Sequence, residues 1–155
     1  MIKNNKIGVV ILAAGSSSRL GHPKQLVQFQ GKTLLQLAID KSESFDFDTK
    51  IVVLGAEADN IKNEIDEKNF TILLNENWKE GIASSIRKGV VESIEKEPAL
   101  SHILFLLSDQ PFISKSLISK LVEVQLNQKG NATYSSYENE PGVPAIFQKK
   151  CFLKL

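Results

Sequence analysis

Cysteine, net charge and long apolar runs are all scarce in this chain of 155 residues. A single cysteine, Cys151, excludes an internal disulfide and a cysteine-rich metal framework, and it fits a reducing compartment. With 19 Lys and Arg against 18 Asp and Glu, the formal charge is +1, far from the basic excess that nucleic-acid binding requires. The first apolar run, residues 6–12, is too short to span a membrane. These absences predict a cytoplasmic protein whose partner is neither a nucleic acid nor a membrane.

Apolar residues make up 42% of the chain, enough for one compact core. Continuous β-branched runs predict buried strands, and apolar positions at helical spacing predict amphipathic helices. Thr33 with Gln36 has the spacing of a capping box, and Ser114 is the expected N-cap of the last helix. The predicted strands are 6–12, 50–55, 70–75, 101–109, 131–137 and 143–147, the last two joined by a Pro-Gly turn, and the predicted helices are 34–42, 57–65, 81–95 and 115–126.

Strands alternate with helices along most of the chain. This alternation predicts βαβ units, and hence an α/β, Rossmann-like, doubly wound and mostly parallel sheet in one domain over residues 1–155. In such sheets ligands bind beyond the carboxyl ends of the strands. The informative segments are therefore the loops after Leu12, Leu54, Leu74 and Leu107.

The first of these loops combines small residues with two cations, Arg19 and Lys24. It is not a Walker A loop, because two residues separate Gly21 from Lys24 and no Ser or Thr follows the lysine. It is not a dinucleotide fingerprint either, because the second glycine after Gly15 is missing. Backbone N–H groups of such a loop can approach an anion, so we predict a triphosphate site. A flexible surface loop is the alternative interpretation.

Asp109 stands at the carboxyl end of an otherwise apolar strand. It is either a turn-forming residue or a ligand for Mg²⁺, and a phosphate loop opposite it favours the metal. Gly142 and Pro144 open the last predicted strand. A turn glycine is the simpler interpretation there, and a substrate contact is the alternative.

A weaker signal follows the third predicted strand. Asn75, Gly81 and Ser84 stand close to a helix start, where backbone N–H groups and hydroxyls can meet a ligand. An ordinary helix cap explains Ser84 and Ser85 equally well. Trp78 is expected to pack rather than to stack on a ligand.

Three segments together resemble a known family. LAAGSSSRLGHPKQL (12–26) resembles the signature of the MobA-like NTP transferases, and LLSDQP (106–111) with GVPAIF (142–147) is similar to the molybdenum cofactor cytidylyltransferase branch. The resemblance covers most of the chain. It implies a fold of the nucleotide-diphospho-sugar transferase type and Mg²⁺-dependent transfer of a nucleoside monophosphate from an NTP to a phosphorylated acceptor, with release of pyrophosphate.

The same resemblance implies roles for individual residues. Arg19 and Lys24 would bind the phosphates and act in catalysis, and Asp109 would be a catalytic residue that binds Mg²⁺. The residues near the base and ribose would be Leu12, Ala13, Ala14, Gly15, Asn75, Gly81 and Ser84, and those near the acceptor would be Gln110, Gly142 and Pro144.

Ala14 and Gln110 favour cytosine within the family, so the expected substrates are CTP and molybdopterin, with a molybdoenzyme as a further partner. Two alternatives stay open: transfer from GTP or UTP to a sugar or polyol phosphate, and a non-catalytic nucleotide- or cofactor-binding module that serves a molybdoenzyme. A receiver-type signalling domain is disfavoured, because no acidic pair follows the first strand.

Members of the family continue beyond Phe152 into a helix and a glycine-aspartate motif, so we expect this chain to lack that segment and one metal-binding carboxylate.

Overall fold

A six-stranded sheet with helices on both faces organises the computed structural model, which describes residues 5–16 and 21–154. A separate two-stranded hairpin follows the first strand of that sheet. The strands are β1 (Ile7–Ala13), β2 (Gln28–Phe29), β3 (Lys32–Thr33), β4 (Thr49–Leu54), β5 (Thr71–Leu74), β6 (His102–Leu107), β7 (Ala132–Tyr137) and β8 (Glu140–Gln148). The α-helices are α1 (Leu34–Glu43), α2 (Ala58–Asn63), α3 (Ile82–Lys96) and α4 (Lys115–Gln128), and short 3₁₀ helices cover Lys24–Leu26, Trp78–Glu80 and Lys149–Lys154.

The strand order in the main sheet is β5-β4-β1-β6-β8-β7. β5, β4, β1 and β6 run parallel, and β8 is antiparallel to both of its neighbours. In the register of the centre, Val10 on β1 lies between Ile51 on β4 and Phe105 on β6. The predicted α/β, mostly parallel and doubly wound sheet is confirmed.

Strand β1 is buried along its whole length because helices cover both of its faces. Val9 and Ile11 pack with α1, α2 and α4 on one face, whereas Val10 and Leu12 pack with α3 on the other. Helix α3 lies directly against the strand: a Cβ on Gly89 would be 2.7 Å from a methyl carbon of Val10. Within the described residues, no helix is both long enough and apolar enough for a membrane span.

The structure contains both of the helix caps that the sequence predicts. The Thr33 hydroxyl accepts from the N–H of Gln36 at 3.1 Å, and the Ser114 hydroxyl accepts from the N–H of Leu117 at 3.1 Å. The reciprocal half of the capping box does not form, because the Gln36 side chain bonds to Asp40 and Asp66 instead.

The turn between β7 and β8 differs from the expectation. It consists of Glu138 and Asn139, with φ of 49° and 70°, the left-handed conformation that two-residue hairpins require. Pro141 and Gly142 lie within β8, so the predicted Pro-Gly turn is wrong. The ladder shifts register farther along, where Tyr134 pairs with Ala145 but the next residue of β7 pairs with Gly142. Pro144 falls in this irregularity, where its missing N–H is tolerated.

Candidate functional site

Four parallel strands end at the same edge of the sheet, and the segments that follow them lie side by side. β5, β4, β1 and β6 all deliver their carboxyl ends there. Backbone hydrogen bonds continue the ladder past the strand ends and hold the segments together. They join Asn75 N to Leu54 O (2.7 Å), Ser108 N to Leu12 O (3.2 Å) and Ala56 N to Ala14 O (3.2 Å).

A cleft of about 390 Å³ opens between these segments. Its size falls within the range of small-molecule sites, roughly 300–1,000 Å³. The cleft brings together many of the residues that the sequence singled out. Its lining consists of Leu12, Ala13, Ala14, Gly15, Ser16, Lys24, Gln25, Trp78, Lys79, Gly81, Ile82, Ser85, Leu107, Ser108 and Asp109.

The loop after β1 forms one wall. Ala13 and Ala14 are buried, whereas Gly15 and Ser16 are exposed. The 3₁₀ turn that begins with Lys24 returns the chain to the same wall, and Gln25 in that turn donates from its side-chain amide to Ala13 O at 2.7 Å. The predicted phosphate contact Lys24 therefore lies on the cleft. Arg19 lies outside the described residues.

The turn after β6, the strand next to β1, presents Asp109 to the cleft. Ser108 is buried and fixes the turn against β1, while Asp109 itself is exposed. Among the described residues, Asp109 is the single carboxylate on the cleft wall, and no group of three His, Cys, Asp or Glu side chains is arranged to hold a metal ion. Two ammonium groups, those of Lys24 and Lys79, also line the cleft.

At the start of α3, the adjacent residues Ser84 and Ser85 lie in different surroundings. Asn75, only 2% exposed, donates from Nδ2 to both Ser84 Oγ and Ser85 Oγ at 2.9 Å. Ser84 in turn donates to the carbonyl oxygens of Gly81 (2.8 Å) and Asn77 (3.0 Å), and it does not line the cleft. Ser85 does line the cleft, with an oxygen that accepts from Asn75. Asn75 thus lies behind the cleft wall and holds both serines by hydrogen bonds, and the Ser85 hydroxyl lies on the surface of the cleft.

Trp78 completes this wall in a way that the sequence did not indicate. It packs against the core on the α3 face, as expected, but it also lines the cleft. A Cβ on Gly55 would come within 2.5 Å of Trp78 Cβ and 2.8 Å of Ala14 O, so only glycine fits between the indole and the loop after β1. Lys79 Nζ lies 5.6 Å from the centre of the Trp78 rings, within reach of a cation–π interaction.

The three residues predicted near the acceptor are not brought together in the cleft. Gln110 donates from its amide to Val143 O at 3.0 Å and so ties the Asp109 turn to β8. Gly142 lines a neighbouring, mostly apolar pocket of about 480 Å³, which adjoins the cleft at Leu12. Pro144 lines neither of these two cavities.

The sequence profile of the MobA-like NTP transferase domain matches residues 9–155. The chain belongs to the MobA-like NTP transferase domain family. This confirms the resemblance drawn from the three motifs. The match runs from β1 to the last residue and so includes every segment that lines the cleft.

Two relatives of the MobA-like domain bear different names. Nicotine blue oxidoreductase of Paenarthrobacter nicotinovorans is 32% identical over 132 residues, which are 84% of this chain and 63% of that protein. Molybdenum cofactor cytidylyltransferase of Escherichia coli (strain K12) is 24% identical over 150 residues, which are 96% of this chain and 73% of that protein. The chain therefore spans less than two thirds of the first relative.

A solved structure has the same fold. The crystal structure of Rv0371c from Mycobacterium tuberculosis H37Rv superposes with a TM-score of 0.85 at 26% identity, over 98% of this chain and 76% of that one. A complex of Rv0371c with manganese superposes with a TM-score of 0.76 at 24% identity, over 97% and 74%. The MobA-like domain thus shares its fold with solved proteins, and its chemistry depends on the residues of the cleft rather than on the fold alone.

Proposed function

We propose that this MobA-like domain binds a nucleoside triphosphate in the cleft and transfers its nucleoside monophosphate to a phosphorylated acceptor, with release of pyrophosphate. One observation carries the proposal. The exposed loop backbone at Gly15 and Ser16, the ammonium of Lys24 and the carboxylate of Asp109 all line one cleft of about 390 Å³ at the carboxyl ends of parallel strands. This combination can bind a polyphosphate. The backbone N–H groups and the Lys24 ammonium would bind the phosphate oxygens, and the Asp109 carboxylate would bind a divalent cation that accompanies the phosphates.

The two ends of the cleft suggest the direction in which the nucleotide lies. Lys24 and Asp109 belong to the loops after β1 and β6, where the exposed Gly15 and Ser16 also lie, so the phosphates lie at that end. The third charged group of the lining, Lys79, lies beside Trp78, with Nζ 5.6 Å from the ring centre. The segment after β5, which lies on the other side of β1 from β6 in the sheet, offers the Trp78 ring, the backbone at Gly81 and the hydroxyl of Ser85. A base and ribose need such a mixture of apolar surface and few directed polar groups.

A divalent cation fits this arrangement. Mg²⁺ keeps several waters and is usually held by one or two carboxylates together with substrate phosphates, so the single carboxylate of Asp109 is a sufficient protein ligand. The manganese complex of Rv0371c supports a divalent ion in this fold. When bound, the ion would neutralise negative charge on the phosphates. We propose Mg²⁺ as the ion and Asp109 as the residue that holds it.

The transfer requires an acceptor phosphate oxygen to attack the α-phosphorus in line with the bond that breaks. The new P–O bond forms as the bond to the bridging oxygen of the β-phosphate breaks, and that oxygen leaves on pyrophosphate. The acceptor phosphate is largely ionised near pH 7, so no general base is needed. Lys24, and Arg19 as the family resemblance implies, would balance the charge that develops on the departing pyrophosphate, while the loop after β1 fixes the orientation.

For the substrates, we propose CTP and molybdopterin. The similarity to molybdenum cofactor cytidylyltransferase of E. coli extends over 96% of the chain, and Ala14 lines the cleft. The apolar pocket beside Gly142 adjoins the cleft and suits a ring system better than a sugar, because a sugar would leave its hydroxyls without partners there. A molybdoenzyme as recipient of the product, and a cytoplasmic location, stay predictions from the sequence.

A second function deserves a test, since the relative with 32% identity is named an oxidoreductase. Membership of the family is therefore also compatible with a second function, in which the domain binds a nucleotide or cofactor but transfers no nucleotidyl group. This alternative predicts binding in the cleft and no formation of pyrophosphate.

The experiment that separates these functions uses the full chain with each of the four NTPs, with Mg²⁺ or Mn²⁺, and with molybdopterin or a sugar phosphate as acceptor. Trp78 is the only tryptophan of the chain, so its fluorescence reports on ligand in the cleft. We expect CTP to change the fluorescence and to release pyrophosphate when molybdopterin is present. Pyrophosphate with another NTP or acceptor would reassign the substrates, and fluorescence change without pyrophosphate would favour the binding module.

A further inference from the structure

Gln25 is a buried amide that spans the loop after β1. Its side chain is 4% exposed, and it follows Lys24 in the short 3₁₀ helix. Nε2 donates to two backbone carbonyls, Ala13 O at 2.7 Å and Gly15 O at 3.2 Å. The side chain therefore joins the first part of the loop to the turn that carries the lysine.

Together with a backbone bond, this amide fixes three consecutive carbonyl groups. Ala13 O and Gly15 O point to Gln25, and Ala14 O accepts from the N–H of Ala56 at 3.2 Å. In a trans peptide the N–H points opposite to the C=O, so the N–H of Ser16 points away from Gln25. In the part of the chain that the structure describes, the N–H groups of Gly15 and Ser16 donate to no protein acceptor. The two hydrogen bonds of Gln25, here called the clamp, thus orient N–H groups that have no acceptor among residues 5–16 and 21–154.

Among the described residues, the side-chain amide of Gln25 bonds only through its nitrogen. Gln25 Oε1 is buried and has no hydrogen-bond partner among the described residues. What the side chain contributes is its two donors, and both go to the loop that lines the cleft.

We infer that Gln25 is a positioning residue for phosphate binding, an inference that rests on the proposed function. Its amide holds the loop in the conformation in which the N–H groups of Gly15 and Ser16 and the ammonium of Lys24 reach the same phosphate groups. Without the clamp, the loop and the lysine move independently, and the triphosphate has to order both when it binds.

Two substitutions at Gln25 and one matched control test this role. Gln25→Met keeps the volume of the side chain and removes both donors. Gln25→Glu keeps the shape and replaces Nε2 by an oxygen that repels the carbonyls of Ala13 and Gly15 while the introduced carboxyl is ionised. Gln28→Met is the control, because Gln28 is exposed on β2 and lies outside the cleft lining. Amide hydrogen exchange over residues 13–16 is measured without ligand, and KM and kcat are measured by pyrophosphate release.

In Gln25→Met we expect faster exchange at residues 13–16 and a KM for the NTP raised about tenfold, the order that loss of one or two hydrogen bonds produces, with a smaller change in kcat. In Gln25→Glu we expect a pH profile that the wild type lacks. Affinity for the NTP should rise as pH falls, because the protonated carboxyl regains one O–H donor for Ala13 O. This second variant decides the matter if the methionine variant fails to fold. Gln28→Met should match the wild type.

Unchanged exchange at residues 13–16 in both Gln25 variants would overturn the clamp. Faster exchange with an unchanged KM and no new pH dependence would overturn the positioning role. If the wild-type chain bound no nucleotide, the proposed function would fail, and the exchange measurement would still decide whether Gln25 holds the loop.

Discussion

The side-chain amide of Gln110 donates to the backbone oxygen of Val143 at 3.0 Å and links the turn that carries Asp109 to strand β8. The paired part of β6 and β8 ends at Phe105 and Ala145, so this bond extends the connection beyond the sheet. On the other side of the turn, Lys41 Nζ donates to the carbonyl oxygen of Pro111 at 2.8 Å. Asp109 thus stands on a turn that is held from both sides.

We therefore predict that Gln110→Met lowers kcat more than it weakens NTP binding. The variant removes one hydrogen bond, but Val143 O keeps the bond that it accepts from the Tyr137 hydroxyl at 2.9 Å, so we expect a cost of only about 0.5–1.5 kcal/mol of stability. The Asp109 turn then loses one of the hydrogen bonds that hold it, while the segment after β5, proposed to bind the base, is untouched. Pyrophosphate release and Trp78 fluorescence measure the two effects. Gln128→Met, at the exposed end of α4, is the control, and equal losses of binding and kcat would contradict the prediction.

Lys24→Ala should depress turnover far more than stability. If the ammonium balances charge on the departing pyrophosphate, its loss should cost about 2–4 kcal/mol of transition-state stabilisation, by analogy with the removal of an oxyanion donor. Lys24 is exposed, so the free energy of unfolding should change little. Initial rates of pyrophosphate release and urea unfolding give the two numbers. Lys120→Ala is the matched control on α4, and wild-type rates in Lys24→Ala would remove the lysine from the mechanism.

Asp109→Asn tests the proposed metal ligand. We expect the variant to need a higher concentration of Mg²⁺ for half-maximal activity, because a neutral amide oxygen is a weaker ligand than a carboxylate for a hard cation. The position is exposed, so the fold should tolerate the change. Titration of activity with Mg²⁺ and with Mn²⁺ measures the shift, with Glu95→Gln on α3 as an exposed control. An unchanged titration curve would assign the metal to another ligand.

The adjacent serines at the start of α3 should respond differently to alanine. Ser84→Ala removes a hydroxyl that bonds to Gly81 O and Asn77 O, so it should lower stability by about 1 kcal/mol and leave nucleotide affinity nearly unchanged. Ser85→Ala removes the hydroxyl on the cleft wall and should weaken nucleotide binding about fivefold to tenfold. Thermal unfolding and Trp78 fluorescence titrations separate the two. The reverse pattern would mean that Ser84 is the ligand-binding residue.

A network away from the cleft predicts how stability depends on pH. Burial raises the pKa of Asp40, but hydrogen bonds from Lys32, Lys68 and Gln36 outweigh this effect and hold the pKa at about 2, below the ordinary value of 3.8. The folded state therefore binds this proton more weakly than the unfolded state does. The resulting stability is present above about pH 4 and is lost as pH falls through about 2.

Asp40→Asn should accordingly lower the free energy of unfolding at pH 7 by at most about 2 kcal/mol, since one pKa unit corresponds to about 1.4 kcal/mol and the lysines are partly exposed. The difference between variant and wild type should shrink between pH 4 and pH 2. Urea unfolding at several pH values measures it, with Glu123→Gln on the exposed side of α4 as control. A difference that stays constant over this range would show that Asp40 acts by packing alone.

Local patterns were sufficient to predict the central strands and the helix caps. The apolar run of β1 and the Thr33 and Ser114 caps need only a few neighbouring residues, and the βαβ order then brings the strand ends to one edge. The turn between β7 and β8 was harder, because the sequence offers two turn signals close together. In the observed strand register the turn consists of Glu138 and Asn139. Gly142 then lies against the Tyr137 ring, where a Cβ would be 2.9 Å from two ring carbons.

The remaining site residues depend on contacts that sequence spacing does not reveal. Ser84 and Ser85 are chemically identical, and the rotation of about 100° between helix neighbours decides which of them faces the cleft. Gln25 is a polar residue beside a lysine and would be expected at the surface. It is buried only because the chain returns from Gly21 to place it under the loop after β1.

The segments that line the cleft follow strands β1, β5 and β6 of a single sheet, in which β1 is hydrogen-bonded to β6 on one side and, on the other, to β4, which pairs with β5. Adjacent strands lie about 4.8 Å apart, so the floor of the cleft has a fixed width. A ligand of a different size therefore requires a change in the length or the side chains of the loops that follow the strands. Exchange of those loops, with the strands left intact, is therefore the natural route by which such a scaffold acquires new substrates.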